Sequence, residues 1–225
     1  MIFGVEIACF SLQAVQLAQQ FGADRVEFCA DKSAGGITPP RAEIIQAKKF
    51  FDIPLFVMIR PHGGDFIYDN SAYQQMISDI DFCKKLNIDG IVLGILTERN
   101  SIDFAKNELL VQRAFPMACT FHRAFDIVPD KEFALRQLIK IGFKNVLTSG
   151  GEGNAARHIA QLENLIQLAD NEINIIVGGG IRSVNVKSIV QKTNARWIHS
   201  AATIKDELPD IGELQKLLNL RTQPC

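Results

Sequence analysis

The five cysteines, Cys9, Cys29, Cys83, Cys119 and Cys225, include no CxxC pair. An odd count without that spacing argues for reduced thiols, and against a disulfide frame or a closed structural zinc site. Charge of one sign is also lacking: 24 Lys and Arg stand against 25 Asp and Glu. No global field therefore draws the chain to nucleic acid or to an anionic membrane. No apolar run approaches the roughly 18 residues of a membrane span, and residues 1–7 lack the basic and apolar regions of a secretory leader. A soluble, cytoplasmic protein is expected. Linkers and low-complexity tracts are missing as well, so residues 1–225 are expected to form a single domain. A dinucleotide fold would show GxGxxG after its first strand, where Ala8-Cys9-Phe10-Ser11 stands instead, so no nucleotide cofactor is expected.

What is present is a regular alternation. Apolar runs of strand length occur near 2–8, 25–29, 55–60, 90–95, 117–122, 145–148, 173–178 and 196–199. Between them, apolar residues recur at spacings of three and four near 12–21, 41–51, 71–86, 104–114, 131–141, 155–169, 184–192 and 211–220. Gly22, Asn87, Gly142 and Asn194 follow four of these helices, where a left-handed residue is wanted. Eight strand-helix units with no spare segment predict an α/β chain closed as a (β/α)8 TIM barrel.

Period two in each strand then divides the two faces. Val5 with Ile7, Val26 with Phe28, and Val57 with Ile59 should face the helices, which leaves Glu6, Ala8, Glu27, Cys29, Met58, Arg60, Thr120 and His122 pointing inward. An unpaired carboxylate inside a barrel costs several kcal/mol, so Glu6 and Glu27 are expected to find partners in Arg60 or His122. Such a network either only pins strand register or performs chemistry. Thr120-Phe-His-Arg-Ala-Phe-Asp126 closes its strand with three chargeable groups, His122, Arg123 and Asp126, and the C-terminal mouth is where barrels hold their active sites. Glu6, Glu27, Arg60, His122, Arg123 and Asp126 are the candidate catalytic residues. Ser149, Gly178, Gly179, Gly180, His199 and Ser200 follow strands six to eight, where barrels commonly cradle phosphate, and form a candidate anion site.

The segments Gly22-Ala-Asp-Arg-Val-Glu-Phe-Cys29, Gly35-Gly-Ile-Thr-Pro39, Val57-Met-Ile-Arg-Pro-His-Gly-Gly-Asp-Phe66, Thr120 to Asp126, Leu147-Thr-Ser-Gly150 and His199-Ser200 resemble the CutC family of copper homeostasis proteins. The resemblance implies a cytoplasmic, usually oligomeric barrel, a dimer being favoured, with copper(I) bound by cysteines near the ends of strands one and two. The second-strand cysteine is Cys29. The usual first-strand cysteine falls on Ala8, with Cys9 next to it, so Cys9 and Cys29 are the candidate metal ligands.

Two functions follow. One is copper homeostasis through copper(I) at Cys9 and Cys29. The other is an enzyme acting on a small phosphorylated or anionic metabolite, with Glu6, Glu27 or His122 moving a proton and Arg60 and Arg123 holding charge. No strand lysine stands at a position suited to a Schiff base.

Overall fold

A computed structural model describes residues 3–204 and 208–221; Cys225 lies outside them. Eight parallel strands pair in sequence order, and β1 pairs with β8 to close the barrel. They are β1 (Gly4–Cys9), β2 (Arg25–Phe28), β3 (Leu55–Met58), β4 (Gly90–Leu93), β5 (Ala118–Phe121), β6 (Asn145–Thr148), β7 (Asn174–Val177) and β8 (Trp197–Ser200). Each is followed by a helix: α1 (Leu12–Gln20), α2 (Arg41–Phe50), α3 (Asn70–Lys85), α4 (Phe104–Ala114), α5 (Lys131–Ile141), α6 (Ile159–Ala169), α7 (Val186–Thr193) and α8 (Ile211–Leu220).

Local chemistry explains where the helices begin and end. The side chains of Ser11, Asp69, Asp103, Asp130 and Asp210 accept from the amide three residues on, satisfying a donor that has no partner within the helix. Gly22, Asn87, Gly142 and Asn194 all have positive φ, the left-handed step that lets the chain leave a helix.

The expected helix over 155–169 is broken. Ala155–Arg157 forms a short 3-10 helix, because the amide of Ala155 is drawn to the carbonyl of Gly179 in the β7 loop, 2.9 Å away. A second 3-10 helix, Arg123–Ile127, follows β5. Thr38 does not cap α2, although Thr-Pro before a helical pattern invites that reading; its hydroxyl accepts from the amide of Arg60 at 2.8 Å and ties the β2 loop to the end of β3.

The alternation of faces holds through the wall. Val5, Ile7, Cys9, Val26, Phe28, Val57, Ile59, Cys119 and Phe121 belong to the large core between strands and helices. Cys29, Phe56, Met58 and Val92 form a separate cluster inside the barrel. Two glycines make room low in the interior. A Cβ at Gly4 would lie 2.7 Å from the Trp197 ring, and one at Gly90 would strike Phe56. The guanidinium of Arg25 sits between those two aromatic rings, 4.2 Å from the Phe56 centroid and 4.4 Å from that of Trp197. Thr120, Asn145 and Asn174 cross β5 to β7 as a chain of side-chain hydrogen bonds of 3.0 and 3.2 Å. The lower interior is thereby filled, and the open volume lies above it, at the C-terminal mouth.

Candidate active site

A cavity of about 510 Å³ occupies that mouth. Its wall includes Glu27, Lys32, Arg60, His122, Arg123, Arg182 and His199. Four permanently or ordinarily positive side chains against one carboxylate give its wall an excess of positive charge.

Beneath the cavity lies a linear array of charges. Arg25 Nε is 2.6 Å from Glu6 Oε2, an ion pair whose alignment is not that of a hydrogen bond. Glu6 Oε1 is 2.7 Å from His199 Nδ1, and His199 Nε2 is 3.8 Å from Glu27 Oε2. The register explains this grouping, because Glu6 stands opposite Arg25 on β2 and His199 on β8. The expectation that Arg60 or His122 would pair with Glu6 and Glu27 is corrected here: both lie higher in the barrel, while the ladder puts Arg25 and His199 directly beside Glu6.

The array sets the protonation of its members. Burial works against the charge of Glu6, but Arg25 and then His199 outweigh it and hold its carboxyl below the usual range. Burial pushes Glu27 up, in spite of His199. For His199, burial opposes the positive charge and the carboxylates of Glu27 and Glu6 overcome it, so its pKa is raised. A carboxylate on Nδ1 fixes the imidazole's tautomer and directs Nε2 at Glu27, the arrangement by which a histidine is oriented for proton transfer.

Arg60 and His122 have other duties. Arg60 donates to the carbonyls of Ala34, Gly36 and Gly64 at 2.7 to 2.9 Å, clamping the β2 and β3 loops together. His122 Nδ1 accepts from the amide of Ala124 at 3.3 Å, which leaves the proton on Nε2, where no partner is found among the described residues. Burial, helped by Arg60, lowers its pKa to about 3. The ring is neutral at ordinary pH.

Asp126 is saturated. Its carboxylate accepts from Thr148 Oγ1, Ser149 N, Ser149 Oγ and Arg123 Nε at 2.6 to 2.9 Å. Arg123 also donates to Ser149 Oγ and Gly153 O, so Asp126 and Ser149 together aim its guanidinium at the cavity. The hydroxyls of Ser149 and Ser200 are engaged by the protein itself, the second donating to the carbonyl of Ile181 at 2.8 Å. Gly178 donates its amide to Thr148 O. The amides of Gly179 and Gly180 have no hydrogen-bond partner among the described residues. Both glycines have positive φ, and a side chain at Gly180 would collide with Asn154.

The two candidate thiols lie in different layers. Cys9 belongs to the outer core and Cys29 to the inner cluster, where its thiol donates to Glu27 Oε2 at 3.5 Å. Burial and then Glu27 push both thiols up. Arg25, Lys32 and Arg182 escaped the sequence reading. Arg25 has the same parity as Glu27, a signal that was there to be used. Lys32 and Arg182 sit in loops, where no periodicity assigns a direction; Lys32 donates to Thr203 Oγ1, and Arg182 to the carbonyls of Ile181 and Thr203 and to Ser200 Oγ.

Comparison with known proteins places this arrangement. A model of the CutC family matches residues 3–204. A family protein CutC from Pasteurella multocida is 40% identical over 195 residues, spanning 87% of this chain and 80% of the relative. The copper homeostasis protein cutC homolog of Homo sapiens is 38% identical over 200 residues, spanning 89% and 73%. The crystal structure of a CutC protein from Streptococcus agalactiae superposes with a TM-score of 0.85 at 33% identity, covering 89% of this chain and 99% of that one. Phosphoribosyl anthranilate isomerase from Thermotoga maritima gives 0.69 at 14% identity, covering 98% of each chain, a likeness of fold alone. With the match running from β1 to the segment after β8, this chain belongs to the CutC family.

Proposed function

We propose that this chain is a barrel enzyme acting on a small phosphorylated or otherwise anionic metabolite. One observation carries the reading: a cavity walled by Lys32, Arg60, Arg123 and Arg182 has buried Glu27 and half-buried His199, 3.8 Å apart, in its wall. The amides of Gly179 and Gly180 and the guanidinium of Arg123 would receive the anion. His199, oriented by Glu6, and Glu27, raised by burial, would exchange a proton with the bound molecule. His122 would offer its neutral Nε2–H to an oxygen of the same molecule. Arg60 and Asp126 keep the loops and Arg123 in place. No helix among the described residues is long and apolar enough to cross a membrane, and the buried free thiols Cys9, Cys29, Cys83 and Cys119 suit a reducing cytoplasm. Membership of the family adds the proposal of a cytoplasmic homo-oligomer, a dimer being favoured.

Thermal unfolding with inorganic phosphate and with a panel of sugar phosphates tests it. Protection of the native chain that is lost in Arg123→Ala is expected. No protection by any member of the panel would overturn it.

A copper(I) role in copper homeostasis is the second reading, favoured by the human relative's name and by one local feature. Cys29 Sγ and the methyl carbon Cε of Met58 lie 3.3 and 3.8 Å from the point a Gly36 Cβ would occupy, so one thiol and the tip of one thioether side chain border the same small gap. Copper(I) would take Cys29 first, and Cys9 only if its side chain crossed from the outer layer. Titration with copper(I) under reducing conditions, with Cys29→Ala and Cys9→Ala beside the native chain, reads this directly; equal affinity in Cys29→Ala removes the site.

A further inference from the structure

Glu27 is a buried carboxylate, 4% exposed, whose charge has no fixed permanent counterpart. Arg25 is committed to Glu6 at 2.6 Å. The nearest positive partner of Glu27 is His199 Nε2, and 3.8 Å is too long for a hydrogen bond. Glu27 Oε1 has no hydrogen-bond partner among the described residues. A buried carboxylate oxygen in this condition costs several kcal/mol unless something else meets it.

We propose that Glu27 and His199 Nε2 bind a divalent transition ion, zinc or manganese in class, with Glu6 as the outer carboxylate that orients the histidine. One ligand atom each from Glu6, Glu27 and His199 lies within 4.8 Å of the others. Metal-to-nitrogen and metal-to-oxygen bonds are about 2.0 to 2.2 Å, so an ion between Nε2 and Oε2 spans the observed separation at an open angle. It could also engage the unpartnered Oε1. The contact of Glu6 Oε1 with Nδ1, at 2.7 Å, is the carboxylate-histidine-metal relation that fixes tautomer and ring orientation in metal sites. One imidazole with carboxylate oxygen suits a borderline divalent ion and not soft copper(I), and the Cys29 thiol, which donates to Glu27 Oε2 at 3.5 Å, would stand outside the ligand set.

The balance of charge agrees. Arg25 cancels Glu6, so the ion would meet the charge of Glu27 and leave one positive charge over. The remaining coordination positions face the cavity, where an anionic oxygen could complete both charge and geometry. The inference rests on the enzyme reading and deepens it: an ion held by Glu27 and His199 would supply a Lewis acid in place of the proton exchange assigned to those two side chains, while the anion contacts of Arg123 and of the Gly179 and Gly180 amides stand on separate residues.

The test is titration of the full-length, chelator-treated chain with Zn²⁺, Mn²⁺ and Co²⁺ by calorimetry, together with the visible spectrum of the Co²⁺ form. Saturation near one ion per chain is expected, without a thiolate-to-cobalt charge-transfer band. Glu27→Gln and His199→Gln should each lower affinity at least roughly 100-fold, and Glu6→Gln roughly 10- to 100-fold, the range of outer-shell partners. Cys29→Ala, which removes the hydrogen bond to Glu27 Oε2 but no ligand of the ion, should change affinity less than roughly tenfold. Circular dichroism checks each variant's fold, and the Co²⁺ spectrum of the native chain decides the case should a variant fail to fold. The proposal is overturned by no saturable binding of any of the three ions, by native affinity in a folded Glu27→Gln, by loss of binding in Cys29→Ala, or by a thiolate band. Protection by phosphate is measured on the same chelator-treated chain. Protection without ion binding sinks this inference alone, and ion binding without protection sinks the enzyme reading alone.

Discussion

His122 should make the protein sensitive to mild acid, and His122→Asn should relieve it. The ring lies 4% exposed between Phe66, whose centroid is 4.8 Å away, and the edge of Phe121. Gly94 leaves space for it, since a Cβ there would be 2.8 Å from Cε1. Among the described residues no carboxylate pairs with the ring to stabilise an imidazolium, Nδ1 is occupied by the Ala124 amide, and Arg60 adds repulsion. Its pKa is therefore about 3 in the folded chain, against about 6.5 in the unfolded one. The sign follows from linkage: the unfolded chain binds the proton first, so the full stability is present above about pH 6.5 and is lost as pH falls toward 3. Between pH 7.5 and pH 5 the loss is roughly 2 kcal/mol, at 1.36 kcal/mol for each pH unit below 6.5. Asparagine offers Oδ1 to the Ala124 amide in place of Nδ1 and cannot titrate. Urea unfolding of both proteins across this range should show the native chain losing about 2 kcal/mol relative to the variant. Curves that stay parallel from pH 7.5 to pH 5 would refute a buried neutral His122.

Other substitutions probe the remaining parts. Arg25→Met leaves Glu6 charged and buried without its cation and should cost about 3 to 5 kcal/mol in urea unfolding, much of it recovered when Glu6→Gln is added; no recovery would mean that Arg25 acts through packing alone. His199 contributes in the opposite sense to His122. Its raised pKa gives stability that is fully present below about 6.5 and is lost as pH rises through the folded value, so His199→Gln should cost more at pH 6 than at pH 9. Asp126→Asn removes the charge that aims Arg123 and should weaken phosphate binding roughly tenfold, about 1.4 kcal/mol, in a direct titration; unchanged affinity would show that Arg123 does not meet the anion. Gly4→Ala places a methyl against the Trp197 ring and should lower stability by about 1 to 3 kcal/mol through overpacking. A native-like melting profile would show that the interior yields more easily than its geometry suggests.

Much of this molecule is legible in its sequence. Eight periodic units, the left-handed residues at Gly22, Asn87, Gly142 and Asn194, and the two-residue alternation in each strand depend on neighbours a few positions apart, and all three reappear in the structure. The same alternation placed Glu27 and His122 on the cavity side. Loop segments were harder, because turns such as those carrying Thr38 and Ala155 are decided by carbonyls and amides of other strands.

The sequence by itself determined which residues face inward, since that follows from the alternating directions of consecutive side chains along an extended chain. Only the tertiary structure decided which of them meet. Glu6 and His199 are 193 positions apart and become neighbours because closure of the barrel pairs β1 with β8. The register of β1 against β2 sets Arg25 beside Glu6, and the stagger of the strands lifts Arg60 and His122 above it, a height that no single strand encodes.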